Sequence, residues 1–211
     1  MAIKTVTTII NGQTYTLTLN SATGKYEATI TAPSKSSFNQ TGGYYNVTIK
    51  ATDTAGNVTT KDASDATLGA SLRLVVKEKI APVLSFINPT NGAYIITNKP
   101  TIKWKVTDAD SGVKSDSISI TIDSGSKITS GITKTAISGG YECTYTPTTA
   151  LSDGSHTIKI DASDNDGNVV HTHTHTYYKL EKILSSVFSL SLVKGVQLNN
   201  CAFLKRGVIY G

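Results

Sequence analysis

The chain has 211 residues, 38% hydrophobic and 17% charged. That balance excludes a disordered charged tail and an integral membrane protein, and leaves room for one large or two small domains. The formal charge of +5 is carried mainly by lysine, with arginine only at Arg73 and Arg206; nucleic-acid readers lean on arginine forks, so no nucleic-acid partner is expected. Threonine fills roughly one position in seven, tyrosine is the main aromatic and 17 glycines punctuate the sequence, a mixture that favours strands over helices and predicts an all-β fold.

Period-two alternation bounded by turn residues places strands over 3–10, 14–19, 25–31, 44–51, 57–61 and 70–77. A second series covers 82–87, 93–96, 101–106, 117–122, 132–137, 140–146, 155–162 and 168–178. Turns at Asn11-Gly12, Asn91-Gly92 and Asp166-Gly167, with spacings near ten residues, are those of a β-sandwich. Met1–Ile10 enters strand sequence directly, without the zones of a signal peptide. The longest apolar stretch, around Ile183 to Val193, is shorter than the roughly 20 residues a membrane span needs, so no membrane insertion is expected. Cys143 and Cys201 are too few for a disulfide scaffold and are expected as free thiols.

The two series repeat one another. Tyr45–Val58 returns, with one inserted residue, in Ser155–Val169, and the two share an Ala-x-Asp-x-x-Gly-Asn-Val core at Ala51–Val58 and Ala162–Val169. Upstream, Gly24–Thr31 matches Gly140–Thr146, and Thr8–Gly12 matches Ile120–Gly125. Three matches in one order mark a duplicated unit. The second copy has a lead-in of two strands, 82–87 and 101–106, that the first lacks. The expected organisation is an incomplete sandwich over 1–78, a linker at 79–81, a complete sandwich over 82–178 and a tail over 179–211. In that tail Leu180, Ile183, Leu184 and Val187 would share one face of a short amphipathic helix. A sandwich short of its opening strands leaves an unpaired edge and an uncovered apolar stripe, so the tail, another subunit or a neighbouring copy is expected to supply the missing β-pairing.

The Ala-x-Asp-x-x-Gly-Asn hairpins at Ala51–Asn57 and Ala162–Asn168, the Pro89-Thr90-Asn91-Gly92 turn and Lys99-Pro100-Thr101-Ile102-Lys103-Trp104 carry a resemblance. Both units resemble bacterial immunoglobulin-like domains, modules strung together in surface adhesins and in tail or baseplate proteins of phages and phage-like particles. The resemblance covers about residues 1–178 and implies tandem β-sandwiches with a structural or binding role.

Folding by itself accounts for the hairpin motif, since Asp can accept backbone N–H groups, Gly takes positive φ and Asn tolerates the left-handed region. A second reading is calcium. Asp161, Asp164, Asp166 and Asn168 approximate an alternating run of oxygen ligands, and Asp108, Asp110 and Ser111 form another acidic cluster. The resemblance adds to this reading, because related adhesin repeats bind calcium near domain junctions. His171, His173 and His175 alternate on one strand face, a spacing that suits a transition metal, with His156 across the hairpin as a further ligand; an exposed polar face is the plainer alternative. Trp104 alternates with Ile102 and Val106 as a core residue. No nucleophile elbow, phosphate loop or zinc-protease helix is present. No cofactor is required on this reading.

The expected function is therefore non-enzymatic: a peripheral component of a virion or phage-like particle, in a tail, baseplate or capsid decoration, displaying its domains for assembly or host attachment. Its partners would be other subunits of an oligomeric particle and cell-surface carbohydrate or protein. The alternative is a fragment of a secreted adhesin, located at the cell surface.

Overall fold

The computed structural model describes residues 2–180, with the side chains at 171–173 left aside. The helix and docking tail expected beyond Leu180 lie outside the described residues. Each expected strand of the first half has a counterpart, but those expected over 25–31 and 70–77 shrink to three and two residues, the second because a 3-10 turn occupies Gly69–Leu72: β1 (Ile3–Ile10), β2 (Gln13–Asn20), β3 (Lys25–Glu27), β4 (Tyr45–Asp53), β5 (Val58–Lys61) and β6 (Arg73–Leu74). The second half contains β7 (Val83–Asn88), β8 (Ala93–Ile95), β9 (Ile102–Thr107), β10 (Ser119–Ile122), β11 (Thr133–Ile137), β12 (Gly140–Tyr145), β13 (Gly154–Ser163) and β14 (Val169–Lys179). The fold is all-β, and the described residues belong to one compact unit, Met1–Leu180.

The second half is a sandwich of two four-stranded sheets, ordered β10-β13-β14-β8 and β11-β12-β9-β7. Alternation turns Ile102, Trp104 and Val106 of β9 inward, where they meet Ile158 and Ile160 of β13; all five are fully buried. Cys143 sits opposite Trp104 on β12, and its burial pushes the thiol up to about 11. At one end of the core His156 packs on Tyr177, ring centroids 5.6 Å apart. Its Nδ1 lies 2.9 Å from Asp123 Oδ2 and its Nε2 2.9 Å from the Ser152 carbonyl oxygen. Burial pushes this imidazole down, but the Ser152 carbonyl and the Asp123 carboxylate outweigh it and the net shift is upward.

The first half is built differently. All its strands lie in one six-stranded sheet, ordered β3-β2-β1-β4-β5 with β6 pairing β4. Connection length explains the difference. β1 and β2 are joined by Asn11 and Gly12, both at positive φ (49° and 75°), a two-residue turn that keeps its strands paired in one sheet. Residues 123–132, between β10 and β11, are long enough to let the chain cross to the opposite sheet. With no counterpart of β7 or β9 among the described residues to receive it, the β2–β3 hairpin stays on β1.

One face of this sheet carries Val6, Thr8 and Ile10 of β1, which are buried, beside Tyr15 and Leu17 of β2 and Val47, Ile49 and Ala51 of β4. These neighbours are half-buried, and Leu19 is 56% exposed. The other face presents Thr14, Thr16 and Thr18 to solvent. The threonine excess thus sits on the wet sides of strands, where a β-branched polar residue suits the pleat.

Trp104 is fully buried, and its indole N–H has no hydrogen-bond partner among the described residues. Trp104→Ala is expected to cost about 3–5 kcal/mol in denaturant unfolding. Trp104→Phe should cost clearly less, since it keeps an aromatic ring in the core and leaves a smaller cavity; equal losses for the two would show that the retained ring does not pack in that site.

Candidate functional site

The repeated motif makes one structure in both halves. Asp53 Oδ1 accepts the Asn57 N–H at 2.8 Å, and Asn57 Nδ2 donates to Asp53 Oδ2 at 2.8 Å. Asp164 repeats these bonds with Asn168 at 2.8 and 2.7 Å, and its Oδ1 also accepts the Gly167 N–H at 2.6 Å. Gly56 and Gly167 reverse the chain at φ of 90° and 98°, a region that penalises any side chain. The Asn57 amide, ahead of the other contacts, holds Asp53 below its ordinary range.

The second copy differs in its neighbours. Glu78, in the segment between β6 and β7, accepts the Ser111 N–H at 3.0 Å and the Ser111 hydroxyl at 2.8 Å through Oε1. Its own N–H donates to Asp166 Oδ2 at 3.0 Å, and its carbonyl accepts from Asn168 Nδ2 at 3.2 Å. Asp108 turns the chain after β9, Oδ1 accepting the Asp110 and Gly112 N–H groups at 3.1 and 2.8 Å. Asp110 in turn accepts the Ser36 N–H at 3.0 Å through Oδ2, and its carbonyl takes Asn39 Nδ2 at 2.5 Å. Side-chain bonds from three separate segments therefore join the two halves.

At the centre of this junction, one oxygen each from Glu78, Asp108 and Asp164 lie within 4.8 Å of one another. Asp164 is fully buried, Asp108 nearly so and Glu78 partly. The ion pairs among the described residues lie elsewhere, on Lys61, Lys105, Lys127, His156 and Lys179. Three carboxylates without a cation in a buried site repel one another, and a shared proton or a bound cation relieves the repulsion. Burial raises the Glu78 carboxyl; the two Ser111 donors oppose that, and the charge of Asp108 together with a carboxyl–carboxyl hydrogen bond adds to it, leaving the group above its ordinary value.

The structure redistributes the residues singled out by sequence. Asp164 joins the cluster, Asn168 clamps it, and Asp166 holds the Glu78 backbone. Asp161 does not take part and pairs with Lys127 at 3.2 Å. From the second acidic run Asp108 is in the cluster, Asp110 bonds the first half and Ser111 bonds Glu78. Glu78 was invisible to motif reasoning because it belongs to neither repeat; its one signal is rarity, as one of four glutamates. His171, His173 and His175 follow one another along β14, whose register sets His173 opposite Ile160 and His175 opposite Ile158. His175 is half-buried with its ring 4.2 Å from Phe86, while the side chains of His171 and His173 lie outside the described residues. Both ring nitrogens of His156 are engaged by Asp123 and Ser152, so it is not free to complete a histidine cluster.

An oxygen-only set suits a hard cation. Oxygens about 2.4 Å from a shared calcium lie at most about 4.8 Å apart, so one ion could take all three carboxylates, with water completing the shell.

Residues 82–160 match the family described as Bacterial Ig domain. Those residues run from β7 into β13 of the second-half sandwich, which is similar to that family over this stretch. No curated protein matches the chain. Among solved structures, CopC from Methylosinus trichosporium OB3b is 20% identical over 47% of this chain and 96% of its own, with a TM-score of 0.36. The fibronectin(III)-like modules of CbhA from Clostridium thermocellum are 15% identical over 87% of this chain and 81% of theirs, TM-score 0.37. Dimeric latent PorU from Porphyromonas gingivalis is 14% identical, TM-score 0.44; the match covers 86% of this chain and 20% of PorU.

A carboxyl whose value is raised by folding stabilises the fold fully below the unfolded carboxyl range, and that contribution is lost as pH rises through the folded value. Glu78→Gln keeps an acceptor for Ser111 and removes the charge. In chelator-treated protein it is expected to raise Tm by about 2–4 °C at pH 7 and by much less at pH 4. An equal change at both pH values would remove charge repulsion as the cause.

Proposed function

We propose that this chain is a non-enzymatic structural and binding module, a peripheral component of a phage or phage-like particle that displays its domains for assembly or attachment. The observation that carries the reading is the junction. Glu78, Asp110, Ser111, Asp166 and Asn168 spend their polar groups on holding two halves together, as expected of a load-transmitting spacer and not of a reaction centre. The immunoglobulin-like architecture of the second half supports it, since modules of this kind serve binding or structural roles. The edges of the first sheet, β3 and β5, give a neighbouring subunit a place to add a strand; every residue of β5 is exposed.

Mass spectrometry and immunogold labelling of purified particles test the reading. Recovery of this chain at a fixed ratio to a major particle protein is the expected result. Recovery in the cell envelope, with none in particles, would replace the particle with a cell-surface adhesin.

Calcium belongs to the same proposal, with its ligands narrowed to Glu78, Asp108 and Asp164 and Asn168 as their clamp. Adding calcium in the millimolar range to chelated protein is expected to raise Tm in proportion to the logarithm of its concentration. Asp108→Asn should abolish that rise. A flat response of the unaltered protein in calorimetric titration would leave a shared proton, not an ion, as the relief of the junction charge.

A further inference from the structure

On the threonine-bearing side of the first sheet, the β1–β2 turn, the 40–41 segment, the start of β4, the 62–64 loop and β6 enclose a cleft of about 700 Å3. Its floor is fixed. Asn46 Oδ1 accepts the Ala63 N–H at 2.8 Å and Asn46 Nδ2 donates to Thr48 Oγ1 at 3.1 Å. Asp62 Oδ1 takes both the N–H and the hydroxyl of Ser64, at 2.9 and 2.6 Å.

Above this floor stands Arg73. Its guanidinium lies over the Tyr44 ring, 5.0 Å from the centroid, and it belongs to none of the ion pairs among the described residues. The ring is itself held in place from below. Gly42 sits at φ 78°, and a Cβ there would come within 2.7 Å of Tyr44 Cε1, so glycine lets the ring lie against the backbone. Tyr44 is thereby a shelf that orients the arginine without using its N–H donors. A planar fork with unspent donors matches a carboxylate bidentately. Around it, the side chains of Asn11 and Gln40 complete a rim of amides suited to hydroxyl groups. Asp62 in the same lining disfavours a dense polyanion such as a phosphate chain and favours one isolated negative charge on a hydroxyl-rich frame.

We propose that this cleft binds an acidic saccharide, with Arg73 gripping the carboxylate of a uronic or sialic residue and Asn11 and Gln40 its hydroxyls. The inference rests on the attachment reading for where such a glycan is met, and names a ligand class and site for it.

The test is isothermal titration or NMR titration of the whole chain with a tetragalacturonide, sialyllactose, the carboxyl-reduced form of each, and glycerol phosphate. Binding of one acidic glycan, with loss of about tenfold or more on carboxyl reduction, is expected, and the better of the two tells which source the carboxylate comes from. Arg73→Lys, which keeps the charge and loses the fork, should weaken binding about tenfold. Asn11→Ala, on an exposed turn, should weaken it without altering the circular dichroism spectrum. No binding to either acidic glycan, equal binding of the reduced forms, indifference to Arg73→Lys, or tighter binding of glycerol phosphate would each overturn the proposal. Particle incorporation is measured separately, so its persistence alongside a negative titration would sink this site and leave the particle reading standing.

Discussion

The buried Asp164 carboxylate is the interaction on which the rest of the second half and its junction depend. Each hydrogen bond to a charged group is worth about 1.5–3 kcal/mol, and Asp164 accepts three, from Gly167, from the Asn168 backbone and from the Asn168 amide. These bonds set the β13–β14 turn, and the turn then offers Asp166 and the Asn168 amide to the Glu78 backbone. The linker path follows from a carboxylate that first had to satisfy itself. Its cost is a concentration of negative charge beside Asp108 and Glu78, and this strain is the origin of whatever proton or ion sensitivity the junction has.

The two halves also show how far a connection governs architecture. Related strand sequences produce a two-layer sandwich in one case and a single sheet in the other. In the second half the inward stripe of β13 meets Trp104 and its neighbours and becomes fully dry. In the first half the equivalent stripe on β4, Val47 and Ile49, remains half-buried, because the two-residue turn at Asn11-Gly12 holds β2 beside β1 and, among the described residues, no second sheet packs over that face.

Strand positions were legible because alternation survives in a single sequence: the bounds of β1, β9 and β13 fall within two residues of the expected ones. Sheet membership was less so, since periodicity says which side a residue faces and not what meets it. The carboxylate cluster was half legible. Asp164 and Asp108 stood out as members of acidic runs, but their convergence, the exclusion of Asp161 and the arrival of Glu78 depend on strand register and on the linker path. Asp161 and Asp164 are three apart along the chain, one on β13 and the other just past its end, so neighbours in sequence become members of different environments. The arginine cleft left no motif, being assembled from five separated segments.

The Asp53 turn makes its full set of bonds to Asn57 with no linker glutamate beside it. A module of this kind therefore finishes its own end before any neighbour docks there, and the neighbour needs to contribute little beyond a backbone N–H, a carbonyl and one acidic side chain. Docking is thus separable from folding. Such units can be exchanged or concatenated, with the stiffness of each joint tuned by the residue placed where Glu78 stands.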